Sequence, residues 1–268
     1  MAMTNAQFLE VPGGRLGYDV QGPADGPLVV CAPGMGDIRQ MYRFLTPRLV
    51  AAGYRVATVD LRGHGDSTGR WDSYAPEAVG ADLLALVDHL GGPAVLVGTS
   101  YSPSSAVWAA AREPKKVVGL VLISMFTSNP AMNPLLRLIS GQVMSRVPLW
   151  LTYYKSLYAT LPADFAEYRG MVRAGLKRNG MTAVRAMGLA DKSEANAAIA
   201  AVDCPTLVLY GSKDPDFPDP AAQAEEARRL LPHATVEIID GVKHYPAAES
   251  PDAVAPSVLA LLKAAFDA

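Results

Sequence analysis

A sharp turn between a strand and a helix is indicated by the sequence Val97-Gly98-Thr99-Ser100-Tyr101-Ser102. The turn follows the apolar run Ala94–Val97 and opens the helix-like segment Ser102–Arg112. A serine at such a turn adopts a strained backbone that lifts its hydroxyl clear of the sheet. The strand and helix then pass so closely that the second residue on each side of the serine must be small, as both are here. Ser100 is therefore a candidate nucleophile, and the amide of Tyr101, at a helix N-terminus, is a candidate oxyanion donor.

Apolar runs and helix-like segments alternate along the rest of the chain. The predicted strands are Phe8–Val11, Arg15–Val20, Leu28–Ala32, Arg55–Asp60, Ala94–Thr99, Val117–Ser124, Thr206–Tyr210 and Thr235–Ile239, and the predicted helices are Arg39–Ala52, Pro76–Leu90, Ser102–Arg112, Pro220–Leu231 and Asp252–Phe266. The first two strands form a hairpin through Pro12-Gly13-Gly14. The later strands show little polar alternation, as is typical of strands buried on both faces. The pattern predicts an α/β fold with a mostly parallel, eight-stranded sheet flanked by helices.

The alternation stops between residues 127 and 203, where no buried strand is evident. Helix-like segments rich in Leu, Met and Tyr occupy this stretch instead, at Pro134–Val143, Leu149–Tyr158, Asp164–Asn179 and Met181–Ala190. An unstructured loop of this length would be unusual. We therefore predict a core domain made of residues 1–126 and 204–268, with residues 127–203 as an inserted helical cap that can roof over a site.

Composition excludes several classes of function. The 268 residues carry 24 basic and 26 acidic side chains, a net charge of −2 without a basic block, so no nucleic-acid partner is expected. The two cysteines make no disulfide framework. No run reaches the roughly 18 apolar residues that span a bilayer, and no signal peptide is evident, so we expect a cytoplasmic protein without a membrane partner. The oligomeric state stays open.

A glycine-rich loop, Pro33-Gly34-Met35-Gly36, directly follows the predicted strand Leu28–Ala32. Such a turn at the carboxyl end of a parallel strand presents free amides to the crevice above the sheet. If the loop faces Ser100, the Met35 amide is the second oxyanion donor. The alternative is an ordinary strand–helix connection.

Acids and histidines at other strand ends complete the pattern. Asp214 lies closest to the end of its strand, with Asp216 and Asp219 as competing acids. His64 and His244 both follow strands; His64 is expected to be structural, in a loop braced by Asp60 pairing with Arg62.

Ester hydrolysis needs a nucleophile, a base, an acid that orients the base, and oxyanion donors. Ser100 is the candidate nucleophile, His244 the candidate base and Asp214 the candidate acid. Along the chain they occur in the order serine, acid, histidine.

These motifs together resemble the α/β-hydrolase superfamily over nearly the whole chain. The resemblance implies Tyr101 and Met35 as oxyanion donors, residues 127–203 as the family's helical cap, and no cofactor or metal. Two positions depart from the usual pattern: Pro33 replaces a frequent histidine, and Ser102 replaces the last glycine of the turn. A serine at the latter position also occurs in receptors of this superfamily.

The function expected from the resemblance is serine hydrolysis of a carboxylic ester or lactone through an acyl-enzyme. The alternatives are a ligand sensor with slow or vestigial hydrolysis, and another reaction of the same fold: carbon–carbon bond hydrolysis, hydroxynitrile lysis or perhydrolysis. The cap suggests a small to medium, largely uncharged substrate. Apolar surface for the pocket is offered by Trp150, Tyr153, Tyr154, Tyr158, Phe165, Met171, Met181 and Met187. Arg137, Lys155 and Lys177 are expected to face solvent.

Overall fold

The computed structural model describes residues 6–129 and 133–267, and within them nine strands form one sheet. The strands are β1 Gln7–Val11, β2 Gly14–Gln21, β3 Leu28–Ala32, β4 Arg55–Val59, β5 Thr68–Gly69, β6 Ala94–Thr99, β7 Val117–Ile123, β8 Thr206–Gly211 and β9 Thr235–Ile239. The main path runs β1-β2-β4-β3-β6-β7-β8-β9, and β5 pairs with β2. The predicted α/β fold is confirmed, with the short strand β5 added to the eight expected.

The sheet is parallel from β4 to β9 and antiparallel at its first edge. β1 and β2 form the predicted hairpin, and β2 pairs antiparallel with β4. Every residue of β3, β6 and β8 is buried, because helices cover both faces of the sheet. All carboxyl ends of the parallel strands therefore meet at one edge, where the crevice of an open α/β sheet forms.

Eleven α-helices lie within the described residues. They are α1 Thr46–Ala51, α2 Pro76–Leu90, α3 Ser102–Arg112, α4 Pro134–Val143, α5 Val147–Ser156, α6 Phe165–Asn179, α7 Thr182–Leu189, α8 Ser193–Ala197, α9 Pro220–Leu230, α10 Pro246–Glu249 and α11 Pro251–Asp267. Helices α4 to α8 all lie between β7 and β8; we call the segment that holds them the helical insert. The predicted boundaries at residues 127 and 203 stay a prediction, and residues 130–132 of that range lie outside the described residues.

The predicted helix Arg39–Ala52 is wrong as a single element. Residues Arg39–Tyr42 form a short 3-10 helix and a separate α-helix begins at Thr46. Pro47 accounts for the break, because it has no N–H to continue an upstream helix and is tolerated only in a first turn.

The predicted pairing of Asp60 with Arg62 is also wrong. The Asp60 carboxylate accepts from the Arg39 guanidinium at 2.5 Å, whereas Arg62 pairs with Asp82 at 2.7 Å. Asp60 and Arg39 are both buried, and Asp19 lies 2.7 Å from the same guanidinium. The brace of the loop after β4 is thus made by a residue from the 3-10 helix that follows the glycine-rich loop.

None of the helices in the described residues combines the length and apolarity needed to cross a bilayer. A cytoplasmic location stays a prediction.

Candidate active site

The backbone at Ser100 has the strained geometry expected of a nucleophile turn. Ser100 lies between β6 and α3 with φ of +61°, in the left-handed region that a serine rarely adopts. Its amide donates to the carbonyl of Ile123 at 2.8 Å, which fixes the turn on the neighbouring strand. A Cβ atom at Gly98 would lie 2.8 Å from the backbone nitrogen of Pro103, so only glycine fits where the strand and helix pass.

The glycine-rich loop after β3 lies directly against this serine. A Cβ atom on Gly34 would be 3.0 Å from Cβ of Ser100 and 3.4 Å from its hydroxyl oxygen. Within the described part of the chain, the backbone amides of Met35 and Tyr101 have no hydrogen-bond partner. Unpaired amides beside a serine hydroxyl are suited to binding a developing oxyanion.

The two departures from the family pattern meet in one hydrogen bond. The Ser102 hydroxyl donates to the carbonyl of Pro33 at 2.5 Å, and both groups are buried. This bond ties the first turn of α3 to the glycine-rich loop, so the serine that replaces glycine joins the two segments that carry the Met35 and Tyr101 amides.

His64 is a structural residue whose ring holds the glycine-rich loop in place through hydrogen bonds. Its ring donates from Nδ1 to the carbonyl of Arg62 at 3.0 Å and accepts at Nε2 from the amide of Gly36 at 2.8 Å. Burial lowers the pKa of His64 to about 4, so the ring is neutral and keeps the acceptor that Gly36 needs. His64 therefore braces the glycine-rich loop.

His244 and Asp214 form a buried pair at the same edge of the sheet. Nδ1 of His244 lies 2.7 Å from Oδ2 of Asp214, and both side chains are almost fully enclosed. The carbonyl of His244 accepts from the hydroxyl of Ser124, at 2.9 Å. Ser124 directly follows Ile123, which holds the Ser100 amide, so a short path of hydrogen bonds joins the two loops.

No hydrogen bond joins the Ser100 hydroxyl to the His244 ring in the described residues. Such bonds are often long without substrate and tighten in the reacting complex. The structure thus brings Ser100, Met35 and Tyr101 together and pairs His244 with Asp214, at one edge of the sheet.

Asp216 is a second carboxylate beside the histidine. Its Oδ2 lies 3.7 Å from Nδ1 of His244, and the hydroxyl of Tyr153, on α5 of the helical insert, donates to both of its oxygens at 2.7 and 2.8 Å. Burial acts to lower the pKa of His244, but the charges of Asp214 and Asp216 and the hydrogen bond to Asp214 outweigh it and raise that pKa to about 9. The competing acid Asp219 instead caps α9 by accepting from two amides.

The same three groups offer a metal ion one ligand atom each, within 4.8 Å of one another. His244 Nδ1 and Asp214 Oδ2, however, lie at the distance of a direct hydrogen bond. Two ligands of one tetrahedral zinc, each at about 2.0 Å, would lie about 3.3 Å apart. The observed spacing favours a proton between the pair over an ion.

In an Asp216→Asn variant, the acid limb of the pH profile of kcat/KM is expected to shift to lower pH by about one pH unit. A histidine acts as a base only in its neutral form, so any activity that depends on His244 as the base should rise with pH through its pKa of about 9. Removing one neighbouring negative charge destabilises the imidazolium and lowers that pKa. Asp219→Asn is the matched control, since asparagine keeps the helix cap. If the acid limb of the Asp216→Asn profile stays at the wild-type pH, the charge of Asp216 does not raise the pKa of His244.

The helical insert contacts the glycine-rich loop through buried tyrosines. The Asp37 carboxylate, one residue beyond that loop, accepts from Tyr168 and from Tyr154, the latter at 2.9 Å. Burial raises the pKa of Asp37 to about 6 against the opposing effect of these bonds. The indole of Trp150 donates to the carbonyl of Gly36 at 3.2 Å. The insert therefore fixes the loop that carries Met35.

The residues predicted to offer apolar surface for the pocket are partly fully buried and partly half-buried. Trp150, Tyr154, Tyr158, Phe165 and Met187 are buried, whereas Tyr153, Met171 and Met181 are half-buried. Arg137, Lys155 and Lys177 are exposed, as expected.

Two features of the site were missed by sequence reasoning. The Tyr153–Asp216 contact joins residues 63 apart. The buried Lys192, whose ammonium lies 5.7 Å from the centre of the Tyr101 ring, belongs to a polar stretch that is typical of surface loops. Neither has a local sequence signal.

The fold and the site together define a hydrolase of the α/β type, and comparison with known proteins agrees. Residues 29–257 match the alpha/beta hydrolase family. The chain belongs to this family.

Relatives extend the comparison. The chain is 28% identical over 227 residues to a pimeloyl-[acyl-carrier protein] methyl ester esterase of Neisseria meningitidis, covering 80% of this chain and 84% of that one. It is 31% identical to part of the polyketide synthase ThaQ of Burkholderia thailandensis, covering 97% of this chain but spanning only 13% of the synthase. A thermophilic esterase from Thermogutta terrifontis has the same fold, with a TM-score of 0.83 at 24% identity, covering 97% of this chain and 99% of that one.

Proposed function

We propose that this protein is a serine hydrolase that cleaves a carboxylic ester or lactone of small to medium size. Ser100 is the nucleophile, His244 the general base and Asp214 the acid that orients it, while the amides of Met35 and Tyr101 bind the oxyanion. The helical insert, residues 127–203, acts as the cap over this site.

The reaction proceeds in two steps. The Ser100 hydroxyl attacks the ester carbonyl and gives its proton to Nε2 of His244, while the carbonyl oxygen becomes an oxyanion held by two amides. The tetrahedral species collapses to an acyl-enzyme, and the imidazolium protonates the departing alcohol. Water then gives a proton to His244, attacks the acyl group, and releases the carboxylic acid with Ser100 restored.

One observation carries the proposal: the strained Ser100 lies beside two amides that have no partner among residues 6–129 and 133–267, and a buried histidine–carboxylate pair lies at the same sheet edge. A strained conformation costs of order 1–3 kcal/mol and persists where the surroundings enforce it, commonly at active sites. The methyl ester named for the Neisseria relative supports an ester over the other chemistries of this fold.

Labelling with a fluorophosphonate tests the proposal. We expect stoichiometric labelling, with the adduct mapped by mass spectrometry to the peptide that holds Ser100. Labelling should slow as pH falls, because only the neutral form of His244 accepts the serine proton. A native protein that stays unlabelled, or an adduct on another residue, would refute the assignment of Ser100. A labelled protein without turnover of any ester would favour the ligand sensor.

A further inference from the structure

Lys192 is a buried cation close to the proposed catalytic residues. It lies in the link between α7 and α8 of the helical insert, and only 6% of its surface is exposed. Its ammonium nitrogen is 5.7 Å from the centre of the Tyr101 ring and 5.5 Å from that of the Phe126 ring. A long, flexible side chain that ends close to two aromatic rings and is almost fully buried occupies a defined place rather than a solvated one.

Both rings belong to the neighbourhood of the site. Tyr101 is the residue directly after Ser100, and the ring of Phe126 lies 6.4 Å from that of His244. Phe126 also packs against Phe217, at 4.8 Å between ring centres, and Phe217 itself lies 6.4 Å from His244. The ammonium group therefore lies against two rings, one on the residue that follows Ser100 and one that neighbours His244.

Lys192 has no anionic partner within the described residues. No carboxylate oxygen lies within 4.0 Å of its nitrogen there, and no acceptor takes a hydrogen bond from it. Moving an unpaired ammonium group out of bulk water carries a desolvation cost, and a cation–π contact offsets only part of that cost. Burial accordingly lowers the pKa of Lys192 below its usual value. The chain thus holds a cation where a negative group would be strongly favoured.

The acids adjacent to Lys192 in sequence are engaged elsewhere. Asp191 accepts from Asn129 at 2.7 Å and from the hydroxyl of Ser193 at 2.6 Å, and Glu194 accepts from the indole of Trp108 at 3.1 Å. The amide of Lys192 itself donates to the side chain of Asn129 at 3.0 Å. The backbone at Lys192 is fixed by these contacts, whereas its ammonium group donates to no acceptor among the residues that the structure describes.

We propose that Lys192 binds a carboxylate carried by the substrate, at the end of the molecule away from the scissile ester. This proposal rests on the proposed ester hydrolysis and assigns its substrate class: a half-ester of a dicarboxylic acid, or an ester with a comparable acidic group. It replaces the expectation of a largely uncharged substrate. A carboxylate beside the ammonium would gain a charge-assisted hydrogen bond in a place of low dielectric constant.

Matched ester pairs test the proposal. The methyl half-esters of succinic, glutaric and adipic acid are compared with the methyl esters of the corresponding monoamides, which have nearly the same shape without the charge. Methanol release gives kcat/KM for each. We expect the wild-type protein to prefer the acid of the best-fitting pair by at least about tenfold, because a hydrogen bond between two charged groups is stronger than one from an ammonium to a neutral amide.

Substitution of Lys192 should remove that preference. In Lys192→Met the acid-to-amide ratio is expected to fall about 10- to 100-fold, and Lys192→Arg should restore part of it. Lys192→Gln is a second neutral variant if the methionine variant fails to fold. Lys177→Met, which removes an exposed lysine of the insert, is the matched control and should leave the ratio unchanged. An equal ratio in the wild type and both neutral variants would overturn the proposal.

Failure of the proposed function would look different. If the wild type cleaves neither member of any pair and resists the fluorophosphonate, the hydrolase assignment fails. Binding of the glutarate half-ester to Ser100→Ala, measured by calorimetry with and without Lys192→Met, then still decides whether Lys192 binds a carboxylate. Binding that is unaffected by the second substitution would refute that role.

Discussion

A Ser100→Ala variant is expected to lose about 10⁶-fold in kcat, because it lacks the proposed nucleophile and would form no acyl-enzyme. The amides of Met35 and Tyr101 remain, so a residual rate about 10³- to 10⁴-fold above that of the uncatalysed reaction should persist. Steady-state and single-turnover kinetics on one ester measure both quantities. A loss smaller than tenfold would mean that another group attacks the carbonyl.

The conformation of Ser100 supplies a control for folding. Alanine has the same steric conflict as serine at a φ of +61°, whereas glycine does not. Ser100→Gly should therefore be as inactive as Ser100→Ala but more stable, by about 1 kcal/mol in the free energy of unfolding. Urea denaturation of the two variants measures this difference. Equal stability would show that the turn stores no strain at this position.

Much of this arrangement could be predicted because it depends on local pattern and on strand direction. The runs Leu28–Ala32, Ala94–Thr99 and Thr235–Ile239 form strands with the predicted bounds. Parallel strands place their carboxyl ends together, so residues far apart in sequence were expected to meet. The pairing of His244 with Asp214 agrees with that reasoning.

Contacts between loops could not be predicted in this way. Asp60 pairs with Arg39 rather than with the nearby Arg62, because the path of the backbone, and not distance along the chain, decides which guanidinium reaches the buried carboxylate. The same holds for Tyr153, which reaches Asp216 from the helical insert. Such contacts depend on how the helical insert packs on the sheet. The spacing of apolar residues along the sequence does not indicate this packing.

The departures from the family pattern have a similar explanation. Pro33 and Ser102 are unrelated in sequence, yet the hydroxyl of one meets the carbonyl of the other. Together with the brace that His64 gives Gly36, this bond fixes the glycine-rich loop from two sides. Preorganised amides lower the cost of stabilising an oxyanion, since no reorganisation is needed as charge develops.

The two carboxylates beside His244 differ enough to be separated by experiment. Asp214 is fully enclosed and lies 2.7 Å from Nδ1, whereas Asp216 is 3.7 Å away and accepts both of its close hydrogen bonds from Tyr153. Only the shorter contact can hold Nδ1–H and leave Nε2 free to accept the serine proton. These distances support our proposal that Asp214 is the orienting acid, with Asp216 acting on the histidine through its charge.

Asp214→Asn is expected to lower kcat about 10⁴-fold, because an amide favours the wrong tautomer of the ring. In the native chain, Oδ1 of Asp214 accepts from the backbone amide of Asp216 at 3.0 Å. The Oδ1 atom of asparagine can accept the same bond, so the loop should keep its shape. Asp216→Asn provides the matched comparison: the same chemical change two residues further along the loop, with a shifted pH profile and most of kcat retained. The opposite ranking of the two variants would transfer the orienting role to Asp216, and the double variant would show whether either acid substitutes for the other.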